Sequence, residues 1–417
     1  MKSPSEALRL CVKTALALAL TIPLHAQTRQ TRSRLTENVF LITTDGLRWQ
    51  EVFGGADSTL LFEPAYTRDT ARMAGRYWAA TPAERREKLL PFVWNTLAKE
   101  GQLYGNRATG SKVNVSNPYW FSYPGYNEIL TGYGDEAIDS NDKKPNPNVT
   151  VLEFLNQQRG FRGKVAAFAS WNVFPWIVNE ERSGVPVNAG EEAVEGRLSE
   201  RQQLLNELQT QLHTPWGASA RHDVLTYHFA KEYLRKHKPR VLLIAFDETD
   251  DHAHDGNYTD YLESAHRVDA LLADLWATVQ ADPHYRGKTT FIVTTDHGRG
   301  HRPRRAWREH GSKTPDSYQI WMGFLGPDTP ALGEVSPEKT LMQNQIAQTL
   351  ARFLGLEFKS DKPTGEAIPG VMKSEQFQSP NAANAVARCG VSRFRSQARS
   401  ITNSIAMNSS EINATLE

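Results

Sequence analysis

Cysteine is nearly missing from this chain, which carries only Cys11 and Cys389 in 417 residues. Two thiols, one of them in a segment expected to be cleaved away, exclude a disulfide framework within one chain. Neither sign of charge is in excess. Lys and Arg number 48 against 47 Asp and Glu, a formal net charge of +1, which excludes both the electrostatic footprint of a nucleic-acid polymer binder and an acidic solvating tail. A long apolar run is lacking too: the stretch Thr14–Leu24 is too short to span a membrane as a stable helix. With Lys2, Arg9 and Lys13 ahead of it, the segment 1–26 reads as a secretory signal peptide cut after Ala26. The expectation is an exported protein, periplasmic or secreted, with no membrane anchor after cleavage, held together by its core and by bound ions.

What the sequence does contain is a set of buried strands that end in acids. "TTFIVTTDHGRG" has the Val/Ile/Thr/Phe richness of a strand covered on both faces from Thr289 to Thr295, and then stops at Asp296 and His297. "NVFLITTDG" ends the same way in Asp45 and Gly46, and "RVLLIAFDETDDHAHDG" runs out into Asp247, Asp250, Asp251, His252 and His254. Strands of a parallel sheet place their carboxyl ends along one edge, where ligands of α/β proteins bind, so side chains about 250 residues apart can converge there. Any one of these acids alone could be a turn former or helix cap. Three together, with seven of the twelve histidines (252, 254, 266, 284, 297, 301 and 310) falling in one stretch, point to a metal site, because converging carboxylates and imidazoles repel or desolvate one another unless a cation sits between them.

From Asn38 to about Phe358 strands and helices alternate, with further strands expected at 164–170 and 318–326. The spacing of Leu341, Ile346, Leu350, Phe353 and Leu354 predicts one face of a final helix. Residues 48–95 and 172–236 read as cap-like insertions, the second with helical spacing from Glu195 to Gln211. Residues 372–417, rich in Ser, Asn, Ala, Gln and Arg, read as a disordered tail. His266, His284 and His301 are expected on solvated surfaces. Arg299, Arg302, Arg304 and Arg305 form a basic loop, either solvated or a rim that gathers anions.

In "WFSYPGYNEILTG", Pro124 suits the first turn of a helix. Ser122 is then expected just before that helix, at the positive end of its dipole, where N–H groups favour an alkoxide or a phosphoryl group. The competing reading is an ordinary capping serine.

Taken in order, "ITTDG", "SYPGYNEILTG", "DDHAH", "DHG" and "REHGSKTP" resemble the alkaline phosphatase superfamily, and within it the type I phosphodiesterase and nucleotide pyrophosphatase branch. The resemblance covers most of residues 38–358. It implies an α/β fold, an alkaline phosphatase-like sandwich with a mostly parallel central sheet and helices on both faces. It also implies two divalent cations, one held by Asp45, Asp296, His297 and the Ser122 oxygen, the other by Asp250, His254 and His310. Such a pair activates the serine and clamps an in-line displacement at a separation of about 3.5–4 Å. Two cations bring four positive charges, which three Asp and an ionised Ser122 cancel. Oxygen and nitrogen ligands without cysteine suit Zn²⁺ first, and Mn²⁺ also fits.

Two segments depart from the family pattern. "FDETDDHAH" stands where the family reads "PDxxGH", so Asp247 with His252 remains an alternative to Asp250 with His254. Asn141, nineteen residues past Ser122, is the candidate for the family's Asn that holds a phosphoryl oxygen, although "SNDKKPNPN" could be a simple turn. The stretch around Ser122 lacks the arginine of the sulfatase "CxPxR" motif, which disfavours a sulfatase. The resemblance therefore implies a two-metal hydrolase of small-molecule phosphate esters (phosphodiester, nucleotide pyrophosphate or phosphomonoester) working through a phosphoseryl intermediate on Ser122. A phosphotransferase or mutase of the same superfamily and a non-catalytic metal-binding protein are the alternatives. The first residues generate a test of their own: mass spectrometry of exported protein should find an N-terminus near Gln27, and an intact Met1 on soluble cytoplasmic protein would contradict the export reading.

Overall fold

The computed structural model describes residues 34–373. The expected signal peptide and nearly all of the expected tail lie outside the described residues. The strands are β1 (Asn38–Thr44), β2 (Gln102–Tyr104), β3 (Val113–Asn114), β4 (Val165–Ala169), β5 (Val187–Ala189) and β6 (Val241–Phe246). They continue with β7 (Thr289–Thr294), β8 (Gln319–Ile320), β9 (Met322–Leu325), β10 (Gly333–Glu334) and β11 (Leu341–Met342). Eight of them form one sheet in the order β10-β2-β9-β7-β1-β6-β4-β5, and β11-β3-β8 form a small second sheet. From β7 to β5 all neighbours are parallel. Only β9 runs against its neighbours, β2 and β7, while β10 runs parallel to β2.

The central strands are buried on both faces, and their side chains alternate between two cores as a period of two requires. Phe40, Ile42, Leu242, Ile244, Phe291 and Val293 enter one core, and Val39, Leu41, Val241, Leu243 and Ile292 the other. Helices cover both faces. The main ones are α1 (Ser122–Thr131), α2 (Asp223–His237), α3 (Glu248–His254), α4 (Tyr258–Ala281) and α5 (Ile346–Phe353). None of the described helices is long and apolar enough to cross a membrane.

The register does the functional work. Thr44 pairs with Phe246 and Thr43 with Thr294, so β1, β6 and β7 run out in step and the acids that follow them meet at one edge. The Asp45 N–H still donates to the Phe246 carbonyl, at 2.9 Å.

Several expectations need correction. The segment 172–236 contains β5, an edge strand of the main sheet, and most of α2, whose Leu225, Phe229, Ala230 and Leu234 pack into the core. The first insertion is helical, but it also feeds the core through Val52, Phe53, Leu60, Met73 and Leu89. The single strand expected at 318–326 is two strands in two sheets, with buried Trp321 at the switch. The final helix is shorter than its apolar spacing suggests, because Leu341 lies in β11 and Leu354 follows the helix end. Beyond 358, Ile368, Val371 and Met372 are also buried in the core.

Helix α1 sits unusually close to the end of β7. A Cβ added at Gly125 would lie 2.5 Å from the Asp296 carbonyl oxygen and 3.3 Å from the Asp296 Cβ, so only glycine lets this helix approach. In a free helix Gly→Ala gains about 1 kcal/mol. Here Gly125→Ala is expected to cost about 1–3 kcal/mol through overpacking against backbone. Urea denaturation measures this, and an alanine variant as stable as the parent would contradict the close packing.

Candidate active site

Each strand end is finished by a turn that the sequence builds locally. After β1, Gly46 takes a left-handed conformation (φ 58°), which costs glycine nothing, and its N–H donates to Asp296 Oδ1 at 3.1 Å. After β7, the Thr295 hydroxyl donates to the His297 carbonyl, and Gln343 Nε2 donates to the carbonyls of Thr295 and Asp296. After β6 the chain enters α3, whose spacing puts Asp250 and His254 one turn apart on a single face. The back of α3 is anchored by buried Glu248, which receives hydrogen bonds from the Asp223 N–H, Ser264 and Arg267 and pairs with His222.

Two groups of ligand-type side chains result. Asp45, Asp296 and His297 form one, fully buried, and Asp250, His254 and His310 form the other, partly open to solvent; in each group the ligand-type atoms lie within 4.8 Å of one another. His297 Nε2 is 3.2 Å from Asp45 Oδ1 and 3.5 Å from Asp296 Oδ2. His254 Nε2 is 3.2 Å from Asp250 Oδ2 and 2.9 Å from His310 Nε2. The His297 and His310 rings stack with centroids 3.9 Å apart, joining the groups.

The alternative pair stands apart. His252 points to the other side of α3 and meets the edge of Trp216. Asp247 is buried, and Asp251 and Asp45 are the nearest charges that, after burial itself, raise its carboxyl. Neither belongs to a ligand group.

The electrostatics fit a cation in each group. His297 Nδ1 lies 2.9 Å from the Gly298 carbonyl, which can only accept, so Nδ1 donates there and Nε2 is the nitrogen turned toward the two carboxylates. Asp45 Oδ1 and Asp296 Oδ2 are buried with no hydrogen-bond partner. Burial, and then the charge of Asp250 on Asp45 and of Asp45 on Asp296, pushes both carboxyls well above the usual carboxylate range. Burial and the neighbouring His297 push His310 well below the usual imidazole value. Acceptors facing acceptors in a dry site are costly, and a divalent cation is the species that reverses the cost.

Ser122 is the first residue of α1, not the residue before it; the cap position belongs to Phe121, and no side chain caps the helix. The hydroxyl of Ser122 lies 3.4 Å from His297 Nε2 instead. The segment leading to it is braced. Trp120 adopts φ 57°, an outlier for a bulky residue. Its N–H donates to Asn117 Oδ1, and its carbonyl accepts from the Gly311 N–H. The buried Glu128 carboxylate accepts from four donors on Ser116 and Asn117, their two N–H groups, the Ser116 hydroxyl and the Asn117 side-chain amide. Tyr126 donates to Asp45 Oδ2 at 3.2 Å. Asn141 is exposed beside the helix start, where its Oδ1 accepts the Tyr123 N–H at 3.0 Å.

Sequence reasoning placed Arg299 in a basic surface loop, and the structure does not. Its side chain is fully buried; it pairs with Asp250 Oδ1 and donates to the Arg308 carbonyl. Burial would raise Asp250, but Arg299, His254 and His310 hold its carboxyl well below the ordinary value. Arg302, Arg304 and Arg305 are exposed as expected, as are His284 and His301. His266 is half-buried, with Nδ1 2.8 Å from the Leu89 carbonyl.

This arrangement can be compared with known proteins. No curated protein sequence matches the chain. Among solved structures it is similar to a 2-O GAG sulfatase (TM-score 0.53, 13% identity, covering 82% of this chain and 76% of the other). It is also similar to wild-type alkaline phosphatase PafA (TM-score 0.52, 10% identity, covering 81% and 99%). At such identities the likeness is one of fold, the alkaline phosphatase-like fold. The family model for type I phosphodiesterase / nucleotide pyrophosphatase matches residues 56–310, more than half of the chain and every candidate residue named above from Ser122 to His310. The chain belongs to the type I phosphodiesterase / nucleotide pyrophosphatase family.

Proposed function

We propose that this protein is an exported hydrolase of small-molecule phosphate esters that uses two divalent cations and a phosphoseryl intermediate on Ser122. The observation that carries the reading is the Ser122 hydroxyl, which caps no helix and instead lies 3.4 Å from His297 Nε2 at the mouth of a buried carboxylate pair.

Asp45, Asp296, His297 and the Ser122 oxygen would hold one cation, and Asp250, His254 and His310 the other. Bound there, Zn²⁺ or Mn²⁺ supplies positive charge that favours an ionised serine and polarises a phosphoryl group. The chain supplies position. Helix α1 aims the serine oxygen at the phosphorus, and its dipole favours negative charge at that end. Asn141, whose carbonyl accepts the Tyr123 N–H and so leaves its NH₂ group free of that bond, would offer that group to a phosphoryl oxygen. Ser122 gives up its proton to solvent, the serine oxygen–phosphorus bond forms as the bond from phosphorus to the leaving oxygen breaks, and the departing alkoxide takes a proton from solvent. Water then splits the serine ester, releases the phosphorylated product and returns a hydrogen to Ser122. A phosphotransferase would share the first step and pass the group to a second alcohol, whereas a metal-storage protein has no use for an oxygen nucleophile at a helix start.

Ser122→Ala is the test. The variant is expected to fold, to keep about two metal ions per chain by elemental analysis, and to turn over aryl phosphate esters about 10³-fold or more slowly, a loss of ~4 kcal/mol at 1.36 kcal/mol per tenfold. Ser122→Thr should keep part of the activity because it keeps the hydroxyl. An alanine variant at the parental rate would remove the covalent route.

A further inference from the structure

The two ligand groups do not carry the same charge. Asp45 and Asp296 bring two carboxylates to the first, and no Lys or Arg among the described residues forms an ion pair with either. The second has one carboxylate, Asp250, and that carboxylate already has a cationic partner in Arg299. Resting on the two-cation reading above, we propose that Arg299 is a positioning residue that makes the two sites unequal, keeping the Asp250–His254–His310 site weak and second to fill.

The guanidinium cannot easily leave. Its side chain is fully buried, NH1 donates to the Arg308 carbonyl at 2.7 Å and NH2 to the Asp250 carbonyl at 3.1 Å. The pair lies directly under the Asp45–Gly46 turn: a Cβ at Gly46 would come within 2.8 Å of both Arg299 Nε and Asp250 Oδ1. Arg299 thus occupies Oδ1 and leaves Oδ2, on the His254 side, for a cation. It also sets a fixed positive charge beside the incoming ion in a partly desolvated site, where like charges repel more strongly than in water. The first group carries two carboxylates for one ion, the second a single carboxylate whose charge Arg299 already cancels. The charge of Arg299 reaches Asp45 as well, but there two carboxylates outweigh it, so a second cation enters against more repulsion than the first, and the same positive charge favours an anionic substrate once both ions are in place.

The experiment uses full-length protein saturated with Zn²⁺, equilibrated against a series of free Zn²⁺ concentrations, with the metal retained counted by elemental analysis. The wild type should lose its ions in two steps separated by about 10–100-fold or more in free Zn²⁺, the range over which an outer partner shifts metal affinity. Arg299→Gln should close that gap by tightening the weaker step, and Arg299→Lys, which keeps the charge, should preserve it. Circular dichroism checks that both variants fold. A single step in the wild type overturns the inference, as does a gap that survives in Arg299→Gln or vanishes equally in Arg299→Lys. Equal loosening of both ions in Arg299→Gln would mark Arg299 as a mere brace and also counts against it. A wild type that retains no Zn²⁺ at any concentration removes the two-cation reading itself, an outcome distinct from all of these.

Discussion

The structure turns on one electrostatic conflict: too many electron pairs face one another in a dry place. Asp45 and Asp296 present oxygens with no hydrogen-bond partner, the charge of Asp250 acts on both, and His297 Nε2 is turned toward the same place. Tyr126 and the Gly46 N–H relieve it only in part, each donating to one oxygen of a carboxyl that stays raised. Burying uncompensated charge costs several kcal/mol, and the arrangement persists because β1, β6 and β7 are locked in register by cores on both faces; the cations proposed above would relieve it. The family to which the chain belongs, a family of hydrolases, is consistent with that use.

The same constraint explains features that otherwise look unrelated. Gly125 and Gly46 are glycine because backbone or charged groups come to within 3 Å of where a side chain would start. Glu128 is a buried acid that makes no ion pair among the described residues and gives its hydrogen bonds to the loop that leads into Ser122. Glu248 does the equivalent service for α3 from behind. These residues touch no reacting atom; they hold the elements that do.

Much of the fold and the site could be read from sequence because the signals are local. An apolar, β-branched run followed at once by Asp or Asp-His, and a pair of ligand types four residues apart on a short helix, declare themselves without a structure. Signals set by tertiary packing did not. The split of 318–326 into two strands depends on which sheet each half meets, and α2 looks like part of an insertion until it is seen lying on the sheet. Arg299 sits in a stretch with four other arginines, and no pattern in the sequence separates the one that is buried against Asp250 from exposed Arg302, Arg304 and Arg305. Glu128 is likewise one glutamate among many on a helix. Ser122 fell between these cases: its segment was recognisable, but whether it capped the helix or faced His297 was decided only by the position of the helix relative to β7.

The most direct measurement is a rapid acid quench of the enzyme during turnover of a phosphate ester, followed by mass mapping of the peptide that contains Ser122. A phosphoryl group on Ser122, absent from the unreacted protein, is the predicted result. Turnover at the full parental rate with no adduct on that peptide, in the wild type and under conditions that slow the second step, would contradict a covalent mechanism at Ser122.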